Sequence, residues 1–342
     1  MNIKLADASD KEEWNAYVNR GQGASVYFLF ESKKIIENVF GHKAYYLYAK
    51  EDNRIKGVLP MIYLSSRLFG KLLVSLPFWG RGGILADDDK ASKMLWESAK
   101  SYAFDCHADM LCVRSAFALP IDGICHEHKV SFELDLPNAE NLLWDKIGPK
   151  TRNQVRKAEK AGLTSKNGGK ELLGAFYHVF SRNMRDLGTP VMPYNFFEHI
   201  VDVYNEYIRI FIVEKNGNPI GASFCFSFLD KMEVPWASTI KEYNRDCPNM
   251  LLYWSMLRHA IILQVSKFDF GRGSKDGGTY HFKKQWGGLE QQHYWYYWTK
   301  DGVKVPDLSP GNAKYNLPII IWRHLPIKIA NWLGPKIVKY IP

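Results

Sequence analysis

One stretch limits the folds open to this chain more than any other: Phe268-Asp-Phe-Gly-Arg-Gly-Ser-Lys-Asp-Gly-Gly-Thr-Tyr-His-Phe-Lys-Lys-Gln-Trp-Gly287. Its spacing predicts a short strand over 267–270. Gly271, Gly273, Gly277 and Gly278 then allow a turn with positive φ. A short helix over 279–286 follows, closed by Gly287-Gly288. At about 100° per residue, Phe282 and Trp286 share one helix face, Lys283 lies beside it, and Lys284 lies next to Tyr280. The stretch reads either as an anion-friendly turn with a cation at the edge of a buried face, or as a structural turn followed by a solvated lysine pair. A glycine-rich strand-to-helix turn does not by itself choose between them.

What surrounds the stretch places it in a larger unit. A long apolar helix over 249–265, with Pro248 just before it, precedes it. A strand over 292–299 follows. Upstream, 208–213, 220–228 and 232–238 read as antiparallel strands around turns at Asn216-Gly217 and Asp230-Lys231. Helices over 170–186 and 194–205 flank a proline-rich loop, Leu187–Pro193. The first half repeats this order loosely. Helices over 9–20 and 30–39 lead to strands over 44–50, 55–64 and 72–76. A helix over 90–104, capped by Asp87–Asp89, separates these from strands over 110–114 and 130–136. A chain of 342 residues suits two domains. The expectation is an α+β protein built from two copies of one unit, with boundaries at 1–147 and 148–309, and a helical tail over 310–342.

Charge narrows the partners. The net charge is +9, which favours an anionic partner such as a phosphate-bearing substrate, a nucleic acid or a membrane surface. Lys150-Thr-Arg-Asn-Gln-Val-Arg-Lys-Ala-Glu-Lys-Ala-Gly162 forms, as a helix, a stripe of Lys150, Asn153, Arg156, Lys157 and Lys160 with Arg152 at its edge. The stripe is either a solvated face or a phosphate contact. The tail is apolar and basic, with no acid after residue 310. It suits an anionic membrane interface or a helical hairpin packed on the second domain. The five cysteines form no C-x-x-C pair, which fits a reducing cytoplasm. Cys125-His-Glu-His128 has no second ligand pair at a zinc-like spacing, so it is read as a loop and no metal is expected. No secretory signal or membrane span is recognisable.

Together, the basic segment 150–162, Phe268-Asp-Phe-Gly-Arg272, Tyr280-His-Phe-Lys-Lys-x-Trp-Gly287 and Pro77-Phe-x-x-x-Gly-Gly-Ile-x-Ala-Asp87 resemble the FemAB-like branch of the GNAT acyltransferase superfamily. Within it, they look closest to the proteins found with bacterial exopolysaccharide and exosortase (PEP-CTERM) systems. The resemblance spans nearly the whole chain. It implies two tandem GNAT-like domains, each a mixed, mainly antiparallel sheet with flanking helices, and an active groove in the second.

The resemblance also implies an activity: transfer of an acyl or aminoacyl group to an amine of a peptidoglycan or exopolysaccharide precursor, at the inner face of the cytoplasmic membrane. Its substrate would be phosphate-bearing or lipid-linked, and its donor aminoacyl-tRNA or an acyl thioester, with no bound cofactor. Phe282-Lys283 matches the pair that supports transfer in the family. Lys150, Arg152, Asn153 and Arg156 match its phosphate contacts more loosely. Lys283 supplies charge near an oxyanion, and Asp269 or His281 orients substrate or accepts a proton, Asp269 being equally a turn cap. Arg272, Tyr280, Lys284 and Trp286 are further substrate contacts. One departure stands out: Lys241-Glu-Tyr-Asn-Arg-Asp-Cys-Pro-Asn249 lacks the glycines with which acetyl-CoA-using members cradle pyrophosphate. The competing class is a non-catalytic basic protein that binds an anionic glycan, RNA or a membrane surface.

Overall fold

The computed structural model describes residues 1–342 except 22, 68, 276, 302 and 306–315. The chain packs as two units, which are interleaved in sequence. The first comprises residues 1–130, 292–308 and 339–342; the second comprises 131–291 and 309–338.

The first unit contains β1 (Asn2–Leu5), α1 (Lys11–Val18), α2 (Glu31–Phe40), β2 (Lys43–Glu51), β3 (Arg54–Ser66), β4 (Gly70–Ser75), β5 (Leu85–Ala86), α3 (Asp89–Asp105), β6 (Met110–Ser115) and the start of β7 (Ile124–Asp135). Asp52 and Asn53, both at positive φ, form the tight turn that the sequence marks between β2 and β3. Asp88 accepts a hydrogen bond from the Ala91 amide at 2.7 Å, so the acidic run does cap α3. The sheet runs β1-β2-β3-β4-β6. Its parallel pair, β4 with β6, requires the α3 crossover. Leu95 and Trp96 of α3 are buried with Leu47, Leu59, Leu73 and Leu111 in one core.

The second unit contains α4 (Glu140–Lys146), α5 (Pro149–Lys160), β8 (Leu163–Gly168), α6 (Leu173–Leu187), α7 (Tyr194–Tyr204), β9 (Ile208–Lys215), β10 (Asn218–Phe228), β11 (Lys231–Thr239), α8 (Pro248–Ile262), β12 (Lys267–Asp269), β13 (Gly273–Ser274) and α9 (Tyr280–Lys284). β14 (Leu289–Thr299) then returns to the first unit, and α10 (Asn316–Arg323) and α11 (Ile327–Val338) complete the second. Its sheet runs β12-β11-β10-β9-β8, with the end of β7 antiparallel to β12. Here too a pair is parallel, β11 with β12, and α8 is the crossover. Alternation along β10 explains the layers. Ser223 and Cys225 point to Met256 of α8. Phe224 points the other way, into Phe176 and Phe197 of α6 and α7. Both faces are covered, so β10 is buried from Ile220 to Phe226.

The expected boundaries need correction. Packing divides the chain after Val130 rather than at 147/148, because residues 133–135 of β7 pair with β12. The strand expected to close the second domain pairs with β6 of the first, from Tyr294 opposite Ser115 to Thr299 opposite Met110. The expected boundary at 309/310 lies outside the described residues. Cys125–His128, read as a loop, lie in β7. In the tail, α10 and α11 both pack on α6.

Candidate active site

The site starts where two parallel strands part. β11 pairs with β12 over Lys231–Glu233 and Lys267–Asp269. β12 then ends, while β11 runs on to Thr239. Opposite the free end of β11 stands the N-terminus of α8. A cleft of about 720 Å³ lies against the end of β11 and the N-terminus of α8 and wholly within the second unit. Its walls are Ala237, Ser238 and Thr239 of β11, Asn183 and Asp186 of α6, Gln154 of α5, Asn249 and Met250 of α8, Arg323 of α10, and Thr279, Phe282 and Gln285. The last three are spaced i, i+3 and i+6, so α9 and its leading residue turn one face to the cleft.

The cleft wall contains one prepared donor. Asn183 Nδ2 donates to Ser238 Oγ at 3.0 Å. With its acceptor side occupied, the Ser238 hydroxyl keeps its own proton to donate.

Lys283 is on a different face of α9 from Phe282 and does not line the cleft. It is buried, and its Nζ donates to the carbonyl oxygens of Gly271 at 2.6 Å and Arg272 at 3.2 Å. Burial pushes its pKa down to about 8; the Arg272 charge adds to this and the Asp269 carboxylate opposes it. The ammonium therefore holds the turn that follows β12, and is not an open charge on the groove floor. Asp269 is fully buried, and its Oδ1 accepts the Gly271 amide at 2.8 Å. Of its two expected roles, this contact makes it the turn cap. Gly271 itself is required: it sits at φ +75°, and a Cβ there would come within 2.2 Å of the Val234 carbonyl oxygen.

The other expected residues divide. Phe282 is half-buried and meets Tyr253 edge-on at 4.9 Å. Trp286 is buried beside Tyr253, which makes it core. The Tyr280 hydroxyl donates to Glu290, and its ring meets Phe132 at 5.1 Å. Arg272 is half-buried, whereas His281 and Lys284 are exposed. None of these last four lines the cleft. On α5, Thr151, Val155 and Ala158 are buried and Lys150, Asn153 and Arg156 exposed, which is the stripe expected. Arg152 differs: its Nη1 donates to the carbonyls of Trp144 and Asp145 that end α4. Arg156 stacks over Trp144 at 5.3 Å. Thr151 Oγ1 donates to the Gln285 carbonyl at 3.3 Å, so α5 is fastened to the end of α9.

Sequence reading missed most of the polar wall: Gln154, Asn183, Asp186, Ser238 and Asn249. Gln154 carried a weak signal, as an uncharged residue within a basic helix. The rest are brought together only by the fold at the end of β11.

The approach to α8 also matters. The amides of Tyr243, Cys247 and Met250 donate to Ile240, Asn244 and Cys247 carbonyls. Cys247 takes a left-handed conformation, φ +58°, where glycine is the usual occupant. These three amides are committed to the chain's own turn.

Residues 149–284 match the Acetyltransferase (GNAT) domain family. That segment of the second unit is thus similar to a GNAT domain. No curated protein matches the chain. Among solved structures, FemX is similar at 15% identity and a TM-score of 0.65, over 86% of this chain and 97% of that one. A tandem GNAT protein from the clavulanic acid biosynthesis pathway is similar at 12% identity and 0.54, over 89% and 99%. The C-terminal domain of a putative lysylphosphatidylglycerol synthetase from Agrobacterium fabrum is similar at 10% and 0.55, over 85% and 92%. These likenesses are of fold, and the fold is a tandem GNAT-like arrangement. Most of the cleft lining, from Gln154 to Phe282, falls within the matched segment; Gln285 and Arg323 lie outside it.

Proposed function

We propose that the second unit transfers an acyl or aminoacyl group from an activated ester or thioester to an amine of a cell-envelope or exopolysaccharide precursor. The observation that carries this reading is the cleft at the end of β11, lined by residues of β11, α8 and α9 within the GNAT-matched segment. The uncharged amine attacks the carbonyl carbon. A C–N bond forms, the C–O or C–S bond breaks, and the proton shed by the nitrogen passes to the leaving oxygen or sulfur. Ser238, oriented by Asn183, is the donor placed to meet the oxyanion. Phe282 forms an apolar wall of the cleft. Lys283 positions that wall through the carbonyls of Gly271 and Arg272 and is a positioning residue in this reading.

The committed amides of Tyr243, Cys247 and Met250, before and at the start of α8, favour an aminoacyl-tRNA donor over an acyl-CoA, whose pyrophosphate needs free amides. The exposed cations of α5, Lys150 and Arg156, suit the phosphates of such a donor or of a lipid-linked acceptor. The non-catalytic alternative draws no support from the comparisons.

The test offers the full chain two donor classes in parallel, charged tRNA and acyl-CoA, with amino-sugar and muropeptide acceptors. Products are read by mass spectrometry. A mass increase equal to one donor group, lost in Ser238→Ala, is expected. No transfer from either class, together with no donor binding by calorimetry, would remove the reading.

A further inference from the structure

The two C-terminal helices carry a feature that the transfer reading does not use. On α11, Ala330, Gly334 and Val338 are buried at i, i+4 and i+8. A Cβ on Gly334 would come within 2.8 Å of the Val191 amide nitrogen, so this stripe is tightly packed. The opposite face shows Lys328, Ile329, Trp332 and Lys336 to solvent. Trp332 is 63% exposed, and Lys336 Nζ lies 3.4 Å from its ring centroid. On α10, the side that includes Ile319 packs toward Gly188 of the second unit. Leu317, Ile320 and Ile321, at i, i+3 and i+4, are all more than half exposed.

Two bare apolar faces on adjacent helices need an occupant. Charge says which. Residues 316–342 hold four cations, Arg323, Lys328, Lys336 and Lys339, and no carboxylate. A protein partner could take many charge patterns. A surface of uniform negative charge over an apolar interior calls for this one: exposed Ile and Leu, a Trp beside a Lys, and only cations. Neither helix is long and apolar enough to cross a membrane, so they would lie in the interface plane.

We propose that α10 and α11 dock the protein on an anionic lipid bilayer. Ile320, Ile321, Ile329 and Trp332 enter the acyl boundary, and Lys328 and Lys336 meet the headgroups. The docking stands independently of the transfer reading. If both hold, Arg323 of α10, which lines the cleft, sets the cleft beside the surface where a lipid-linked acceptor resides.

The full chain is tested by flotation with vesicles of phosphatidylcholine alone or mixed with phosphatidylglycerol. Binding to the mixed vesicles only is expected, weakening as salt shortens the Debye length. Two variants separate the contributions. Ile320→Ser with Ile321→Ser and Trp332→Ser should weaken binding by about tenfold or more, as should Lys328→Glu with Lys336→Glu. Each is compared at an unchanged melting temperature. Quenching by brominated lipid should be smaller in Trp332→Phe than in wild type. Three results would overturn the proposal. One is no binding to anionic vesicles. Another is equal binding by both variants, which would move the contact to another basic face such as α5. The third is lipid-free self-association, by sedimentation velocity, that the apolar variant abolishes; a second copy would then be the occupant.

Discussion

The ammonium of Lys283 lies 2.6 Å from the carbonyl oxygen of Gly271, a residue held at φ +75°. A cation is thus fixed to a backbone that only glycine adopts without strain. The contact ties α9, which supplies Phe282 to the cleft, to the turn beyond β12.

Lys283 gives a pH signature. Its folded pKa is lowered to about 8 from 10.5. Below pH 8 the buried charge penalises the folded state. The penalty disappears as pH rises from about 8 toward 10.5, because the unfolded chain then binds the extra proton. The difference is worth up to about 3 kcal/mol. Wild type should therefore gain melting temperature relative to Lys283→Met between pH 7, about one unit below the window, and pH 9.5, well inside it. Parallel curves for the two proteins over this range would show that the lysine titrates normally.

Gly271→Ala adds a left-handed strain of about 1–2 kcal/mol to a collision with the Val234 carbonyl oxygen at 2.2 Å. A total loss above about 2 kcal/mol is expected by urea denaturation. Gly278 is the control, since a Cβ there meets nothing within 4 Å. Gly278→Ala should be neutral or stabilise by less than about 1 kcal/mol. Equal effects would contradict the turn geometry.

Ser238→Ala should lower the rate of transfer by about 10²-fold with little change in KM, as expected when an oxyanion donor is removed. Asn183→Ala, which frees the serine hydroxyl to turn, should give part of that loss. A raised KM at unchanged kcat would instead make Ser238 a ground-state contact.

The α5 cations separate into two kinds. Arg152→Ala removes charged hydrogen bonds to the end of α4 and should cost about 1–2 kcal/mol of stability. Arg156→Ala loses only an exposed stacking contact with Trp144, about 0.5 kcal/mol. If Arg156 meets a substrate phosphate, the slope of log affinity against log salt should shrink by about 1. An unchanged slope would confine Arg156 to the protein surface.

Much of the fold was legible, because periodicity and turn chemistry agreed. The β2–β3 turn at Asp52-Asn53, the Asp88 cap and the Pro248 start of α8 were all readable locally. β8 was not: only Leu163 and Gly168 of it are buried, so it shows no alternation. β14 read correctly as a strand but was expected in the second domain, because pairing with β6 depends on distant residues that periodicity does not reveal. The site was half legible for the same reason. The helix pattern put Phe282 on a functional face. It could not show that Lys283, one residue on, would turn its charge to buried carbonyls. Ser238 and Asn183 lie 55 positions apart, and no local signal joins them.

The interleaving of the units bears on how the chain is made. β6 is synthesised early, yet its partner β14 emerges almost 200 residues later, as their register from Ser115–Tyr294 to Met110–Thr299 requires. The five strands β8–β12 and the end of β7 are all available before that. On the ribosome, the unit begun first is therefore the one finished last. Until Tyr296 arrives to join Leu111 and Val113 in their core, β6 is an open sheet edge in the nascent chain, exposed to wrong partners for the whole time the other unit's sheet strands are being made.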